Sequence, residues 1–188
     1  MSVVTDIVEK HPNRRAGKVC LALSVFTLCA VFGLVGAAKA DSGPATPGED
    51  GKYTDASGDP TYNIDKDGKT DWYTYSGFRR YHSECHVCHG PDGMGSSYAP
   101  PLKDSLKRLS YTDFLAVVAQ GRKNLENGQE KVMPELGLNK NVMCYIDDIY
   151  IYLKARSDDA VARGRPPDHE AKPKAWQDAQ DSCMGAPS

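Results

Sequence analysis

The apolar and polar positions divide the chain into one uncharged run, one stretch poor in apolar residues and a series of short periodic segments. Residues 1–18 are polar and end in Arg14-Arg15-Ala16-Gly17-Lys18, after which Val19 to Ala38 is uncharged and apolar. From 41 to 60, four Gly, three Pro and several acids leave almost no large apolar side chain, the pattern of a loosely attached lead-in. Tyr62-Asn63-Ile64 and Thr70-Asp71-Trp72-Tyr73 flank Asp67-Gly68 and predict a short hairpin with a Gly-containing turn. Helical spacing then takes over. Gly77, Tyr81 and Cys85 recur every four residues and predict a helix from Ser76, with Gly77 allowing a second helix to approach closely. Ser110-Tyr111-Thr112-Asp113 opens a capped helix with Phe114, Leu115, Val117 and Val118 on its apolar face and Gly121 at its end. A polar loop is predicted from Arg122 to Glu130. After Asn139, residues Val142, Tyr145, Ile146, Ile149, Tyr152 and Leu153 keep helical spacing to about Arg156, and this face is expected against Gly77 and Tyr81. The tail, 157–188, is polar and Pro-rich, with a short helix predicted near Lys174–Ser182.

These elements predict an all-α domain, and Cys85-His86-Val87-Cys88-His89 gives it its chemistry. Cys-x-x-Cys-His is the attachment pattern of a c-type haem: the thiols lie on one side of a helical turn, where each adds to a vinyl group, and the His lies under the iron. Cys-x-x-Cys also marks thioredoxin-like redox pairs, which need a βαβ setting that is missing here. It could form half a zinc site, but Cys144 and Cys183 are distant and 39 residues apart. Haem is therefore the reading adopted. Gly90-Pro91-Asp92-Gly93-Met94-Gly95 must turn sharply away from it, and Pro100-Pro101-Leu102 closes that loop. A proximal imidazole is oriented by donating its second N–H to a fixed carbonyl, for which rigid Pro100 is the candidate, with Leu102 packing on the ring.

Arg79 and Arg80 are expected on the outer side of the helix and His82 at the surface. Asn63, Asp65, Asp67, Gly68 and Asp71 partly imitate a calcium loop, although Thr74 stands where a bidentate Glu belongs, so a calcium ion near Asp65 and Asp67 stays an open alternative.

The sixth ligand of an electron-transfer haem of this kind is usually a thioether. Met94 follows His89 too closely to reach the opposite face, Met143 adjoins Cys144 inside a helix, and Met184 lies in the tail. Met133, in a loop stiffened by Pro134, is the candidate. Cys144 and Cys183 then remain, and in an oxidising compartment a leftover pair is read as a disulfide pinning the tail to the last helix.

That compartment is indicated by the N-terminus. The basic stretch, the apolar run and Ala38-Lys39-Ala40 read as a secretory signal peptide, residues 1–40, cut before Asp41; an uncleaved membrane anchor is the alternative. The organisation expected is signal peptide 1–40, lead-in 41–60 and a monohaem domain 61–188. Removing residues 1–40 takes five Lys/Arg and two Asp/Glu, leaving 18 against 23, a net of −5. An acidic chain does not favour nucleic acid or an anionic membrane as partner.

Residues Tyr75–Cys85, Cys88–Ser97, Ala99–Leu106, Val132-Met133-Pro134, Cys144 and Arg163-Gly164-Arg165-Pro166 together resemble the methanol-metabolism-related four-cysteine cytochromes c, across roughly 70–188. The resemblance implies a class I cytochrome c fold: three to five helices around one covalent haem c, with a short N-terminal hairpin and a disulfide-pinned tail. It further implies a periplasmic electron carrier in methylotrophy with no catalytic residues. Its donor would be a pyrroloquinoline-quinone (PQQ) methanol dehydrogenase of the lanthanide-dependent kind, and its acceptor another cytochrome c or an oxidase. A haem enzyme or a gas sensor with an open sixth site is the alternative.

Overall fold

Helical structure begins at Asp71, whose carboxylate accepts from the Thr74 amide at 2.8 Å and from the Thr74 hydroxyl at 2.5 Å. That cap satisfies first-turn donors that would otherwise lack partners. The structure, a computed structural model, describes residues 45–126 and 128–185. The signal peptide read at 1–40 lies outside the described residues. Helix α1 runs from Trp72 to Glu84, four residues earlier than the sequence pattern predicts. Trp72 and Tyr73, expected in a hairpin strand, are its first turn; the hairpin survives in shortened form, bridged at Ile64 and Thr70, with the Asp71 amide donating to Asn63 at 2.9 Å and the Asp65 amide to Lys69 at 3.0 Å around the Gly68 turn.

The lead-in is also corrected. Residues Thr46–Pro47 (β1), Tyr53–Thr54 (β2) and Pro60–Thr61 (β3) form a small antiparallel sheet in the order β1-β2-β3. Two-residue strands carry no periodic signal, and this sheet is fixed by distant groups instead. The Tyr73 hydroxyl donates to the Asp50 carbonyl at 3.0 Å, and Lys52 Nζ lies 2.6 Å from Asp147.

Beyond the attachment motif, in helix α2 (His86–His89), the chain forms α3 (Leu102–Ser105) and α4 (Tyr111–Gln120). Helix α4 is capped as predicted, the Ser110 hydroxyl accepting from the Asp113 amide at 3.1 Å. The expected polar loop is instead a two-stranded ribbon, β4 (Arg122–Glu126) and β5 (Gln129–Met133), with Arg122 opposite Met133. Helix α5 (Lys140–Met143) starts after Asn139 as predicted, but the helix is interrupted at Cys144–Tyr145 before α6 (Ile146–Ser157). Helix α7 spans Lys174–Met184.

Helix α6 is the centre of the molecule. Ile149, Ile151, Tyr152 and Leu153 are 1% exposed or less. Each such side chain is worth roughly 1.5–3 kcal/mol of burial. One side joins Tyr81, Leu106, Phe114, Val118 and Val142; the other, through Ile151, meets Trp72, Tyr73, Tyr75, Tyr145 and Trp176. Helix α1 crosses α6 at Gly77, where the Asp148 carbonyl occupies the place of a side chain. Glycine is required there for close approach.

The tail is held by more than its disulfide. Cys144 and Cys183 are bonded, with Cα atoms 5.7 Å apart. In addition, the Thr70 amide donates to Asp168 at 3.2 Å, the Glu170 amide to Thr70 at 2.8 Å, and Trp176 Nε1 to the buried Asp148 carboxylate at 2.9 Å. Arg165 donates to the Tyr75 hydroxyl at 2.5 Å, and His169 stacks on the Tyr75 ring at 3.7 Å. Among the described residues no helix is long and apolar enough to cross a membrane.

Candidate haem site

Helix α1 ends at Cys85, whose amide still donates to Tyr81. The amides of Cys88 and His89 then both donate to the Cys85 carbonyl, at 3.3 and 3.0 Å, closing one turn. That turn sets the two thiols on one side of the helix. Neither is in a disulfide, Cys85 being half-buried and Cys88 exposed, and burial pushes the Cys85 thiol up to about 12. Two cysteines at this spacing, outside any disulfide, supply the thiols that vinyl addition requires.

His89 is buried, and its Nδ1 lies 3.0 Å from the Pro100 carbonyl. A carbonyl only accepts, so Nδ1 carries the proton and Nε2 keeps its lone pair for a metal. Burial also holds the imidazole pKa below its ordinary value, which favours the neutral form that ligates iron; the Pro100 bond opposes this more weakly.

The loop from 90 to 101 exists to hold that carbonyl. Gly90 has φ 72° and lies so close to the Gly95 carbonyl that a Cβ would be 2.1 Å away. The Gly95 amide donates to His89 at 2.7 Å, and Ser96 donates to the Cys88 carbonyl. Buried Tyr81 closes the arrangement, donating to Gly90 at 2.5 Å and accepting from the Gly93 amide at 3.0 Å.

Leu102 opens α3 half-buried, and with Cys85 and Met133 it packs on the rim of the cluster around Tyr81, Val142 and Leu153. Met133 ends β5 beside a pocket of about 410 Å³ that it lines with Gly121, Val132 and Pro134. Behind it, the Leu136 and Gly137 amides donate to Val118 and Ala119, at 3.1 and 3.0 Å, fastening the loop to α4. Met143 packs on the same cluster from within α5. Met94 is 42% exposed with its sulfur 3.8 Å from Arg156, and Met184 is exposed on α7.

Two expectations are corrected. Arg80 is half-buried, its guanidinium 3.4 Å from the centre of the Tyr145 ring. His82 is turned inward, its Nε2 3.3 Å from Asp92. In the imitation calcium loop the Asp65 carboxylate accepts from the Asp67 and Lys69 amides, both at 2.9 Å, and serves the turn itself. Among the described residues no group of three His, Cys, Asp or Glu converges on a metal position.

Asp92 escaped sequence reasoning. It has φ 58° and is buried, where Arg163 and Gly164 from the tail bond its carboxylate. Its sequence signal was indirect, the pairing of Pro-Asp-Gly with the distant Arg-Gly-Arg-Pro.

No family model matches the chain. Cytochrome c-555 of Methylococcus capsulatus is 43% identical over 95 residues, covering 50% of this chain and 71% of its own length. The chain belongs to the c-type cytochromes. Cytochrome c-553I of Paracoccus denitrificans is 50% identical over 136 residues, covering 72% of this cytochrome but only 60% of the relative. The crystal structure of c-type cytochrome XoxG from Methylobacterium extorquens AM1 superimposes with a TM-score of 0.69 at 55% identity, covering 76% of this cytochrome and 87% of XoxG. The protein has the fold of class I cytochromes c. Its cofactor is covalently bound haem c. The two cysteines outside any disulfide, the buried imidazole held by Pro100 through Nδ1 and the apolar rim all fit that group.

Proposed function

We propose that this cytochrome is a periplasmic one-electron carrier between a PQQ-dependent methanol dehydrogenase, of the lanthanide-dependent kind, and a downstream cytochrome c or oxidase. Cys85 and Cys88 hold the haem by thioethers, His89 is the proximal ligand and Met133 the distal one. Pro100 orients His89, and Leu102 packs on the ring. The haem supplies a one-electron Fe(III)/Fe(II) couple; the chain's residues fix its position, exclude water and set its surroundings. Residues 1–40 direct export and are removed.

The observation that carries the reading is the His89–Pro100 bond beside two cysteines that share one turn and no disulfide. The motifs shared with methanol-metabolism-related cytochromes, at 75–106, 132–134 and 163–166, support the choice of donor. The test is rapid mixing of the oxidised holoprotein with PQQ methanol dehydrogenase and methanol. Methanol-dependent reduction is expected. A cytochrome reduced by ascorbate but not by the dehydrogenase would discard the donor and keep the carrier. An intact mass matching 41–188 plus one haem, less two protons for the disulfide, tests export.

A further inference from the structure

The His82–Asp92 pair has no part in holding the haem, yet the fold assembles it from four separate segments. His82 Nδ1 lies 2.8 Å from the Phe78 carbonyl, which can only accept, so Nδ1 carries a proton. Nε2 faces Asp92 Oδ1 at 3.3 Å. Asp92 is ionised: burial opposes this, but the Gly164 amide, the Arg163 guanidinium, His82 and Arg156 together hold its pKa below the ordinary carboxylate value. An ionised carboxylate has no proton to give. A neutral imidazole has one N–H, so it must turn a lone pair toward either this carboxylate or the Phe78 carbonyl, and both contacts are satisfied together only when both ring nitrogens are protonated.

Asp92 is held in place independently of His82. Its left-handed backbone, φ 58° and ψ 23°, is kept by Gly164 N at 3.0 Å, Arg163 Nε at 3.2 Å and the Tyr152 hydroxyl at 3.4 Å, while Arg156 Nε donates to its carbonyl at 3.2 Å. The titratable and charged groups facing His82 are then Asp92 from the loop, Arg156 and Tyr152 from α6, Arg163 from the tail, Tyr81 on its own helix and His86 on α2. Both tyrosines are pushed up by burial and stay neutral. His82 keeps a quarter of its side chain exposed, so water can deliver and remove its proton. It stands one turn before Cys85 on α1, and Asp92 stands three residues beyond His89.

We propose that His82 on Asp92 is a redox-linked proton site. This rests on haem attachment at Cys85–His89 and on no particular electron donor. When the chain accepts an electron from its donor, one positive charge is lost nearby and His82 takes up a fraction of a proton from water; when the electron is passed on, that proton returns to water. The imidazole is the group suited to this, because its charge changes around neutral pH.

The test is proton NMR of assigned His82 in the oxidised and the reduced holoprotein, beside the reduction potential as a function of pH. The His82 midpoint is expected to be higher in the reduced form, with the potential falling as pH rises through the same interval. A tenfold difference in proton affinity between the two forms corresponds to a fall of about 59 mV. His82→Gln should flatten that interval. Asp92→Asn, tolerated in the left-handed conformation, should move it to lower pH by removing the attracting charge. Equal midpoints in both oxidation states, or a His82→Gln profile matching wild type, would overturn the proposal. The NMR comparison needs no variant, so it decides the matter even if both substitutions impair folding.

Discussion

The Cα of Gly77 faces the backbone carbonyl of Asp148 so closely that a Cβ there would lie 1.8 Å from the oxygen and 2.8 Å from the Tyr152 Cβ. Neither obstacle is a flexible side-chain end, so α1 must move off α6 to admit even one methyl. Gly77→Ala is expected to cost at least the roughly 1–3 kcal/mol of an overpacked core, outweighing any gain in helix propensity. Thermal denaturation of the holoprotein measures this; a variant as stable as wild type would mean that the crossing is looser.

Asp148 itself makes stability depend on pH. Burial raises its carboxyl to about 7, against the stabilising bonds from Ser76 and Trp176. Between the ordinary carboxylate pKa and this value the folded state holds a proton that the unfolded state has released. Stability from this group is therefore full at low pH and lost as pH rises through about 7. Relative to Asp148→Asn, wild type should lose on the order of a few kcal/mol between about pH 4 and 8. Chemical denaturation of both proteins across that range checks the sign, and parallel pH profiles would refute it.

Changing Cys144 and Cys183 to Ser together should cost roughly 2–5 kcal/mol, with the haem spectrum unaltered. The tail should nonetheless stay docked from 163 to 176, because Asp92, Tyr75, Thr70 and Asp148 still hold it. Hydrogen exchange should thus rise mainly beyond Trp176. Uniform exposure of the whole tail would mean that the disulfide alone keeps it in place.

Met133→Ala should abolish the weak thioether-to-iron band near the red end of the oxidised spectrum, lower the reduction potential and let the reduced protein bind carbon monoxide. Met143, on the same cluster, is the control. If Met143→Ala produces these changes and Met133→Ala does not, the distal ligand has been misassigned.

The elements legible in the sequence were those whose cause is local. The cysteine spacing of α2, the Ser110 cap, Gly77 on the face of α1 and the apolar face of α6 each depend on residues within a turn or two. The missed elements depend on distant partners. Thr70-Asp71-Trp72-Tyr73 is rich in strand formers, yet Asp71 caps a helix because its carboxylate also accepts from the Asn63 amide at 2.8 Å. The sheet of 46–61 is stabilised by Tyr73 and Asp147, and Asp92 by a tail some seventy residues on. The ribbon of β4 and β5 was hidden because Arg122, Lys123, Asn124 and Lys131 read as a solvated loop.

That ribbon also limits how the molecule can change over generations. Five facing pairs, from Arg122 with Met133 to Glu126 with Gln129, place the last residue of β5. Deleting a facing pair shortens the ribbon by one rung and leaves Met133 on its side; deleting one residue turns it to the other. Descendants of this gene should therefore vary here in even steps, with odd insertions confined to the turn.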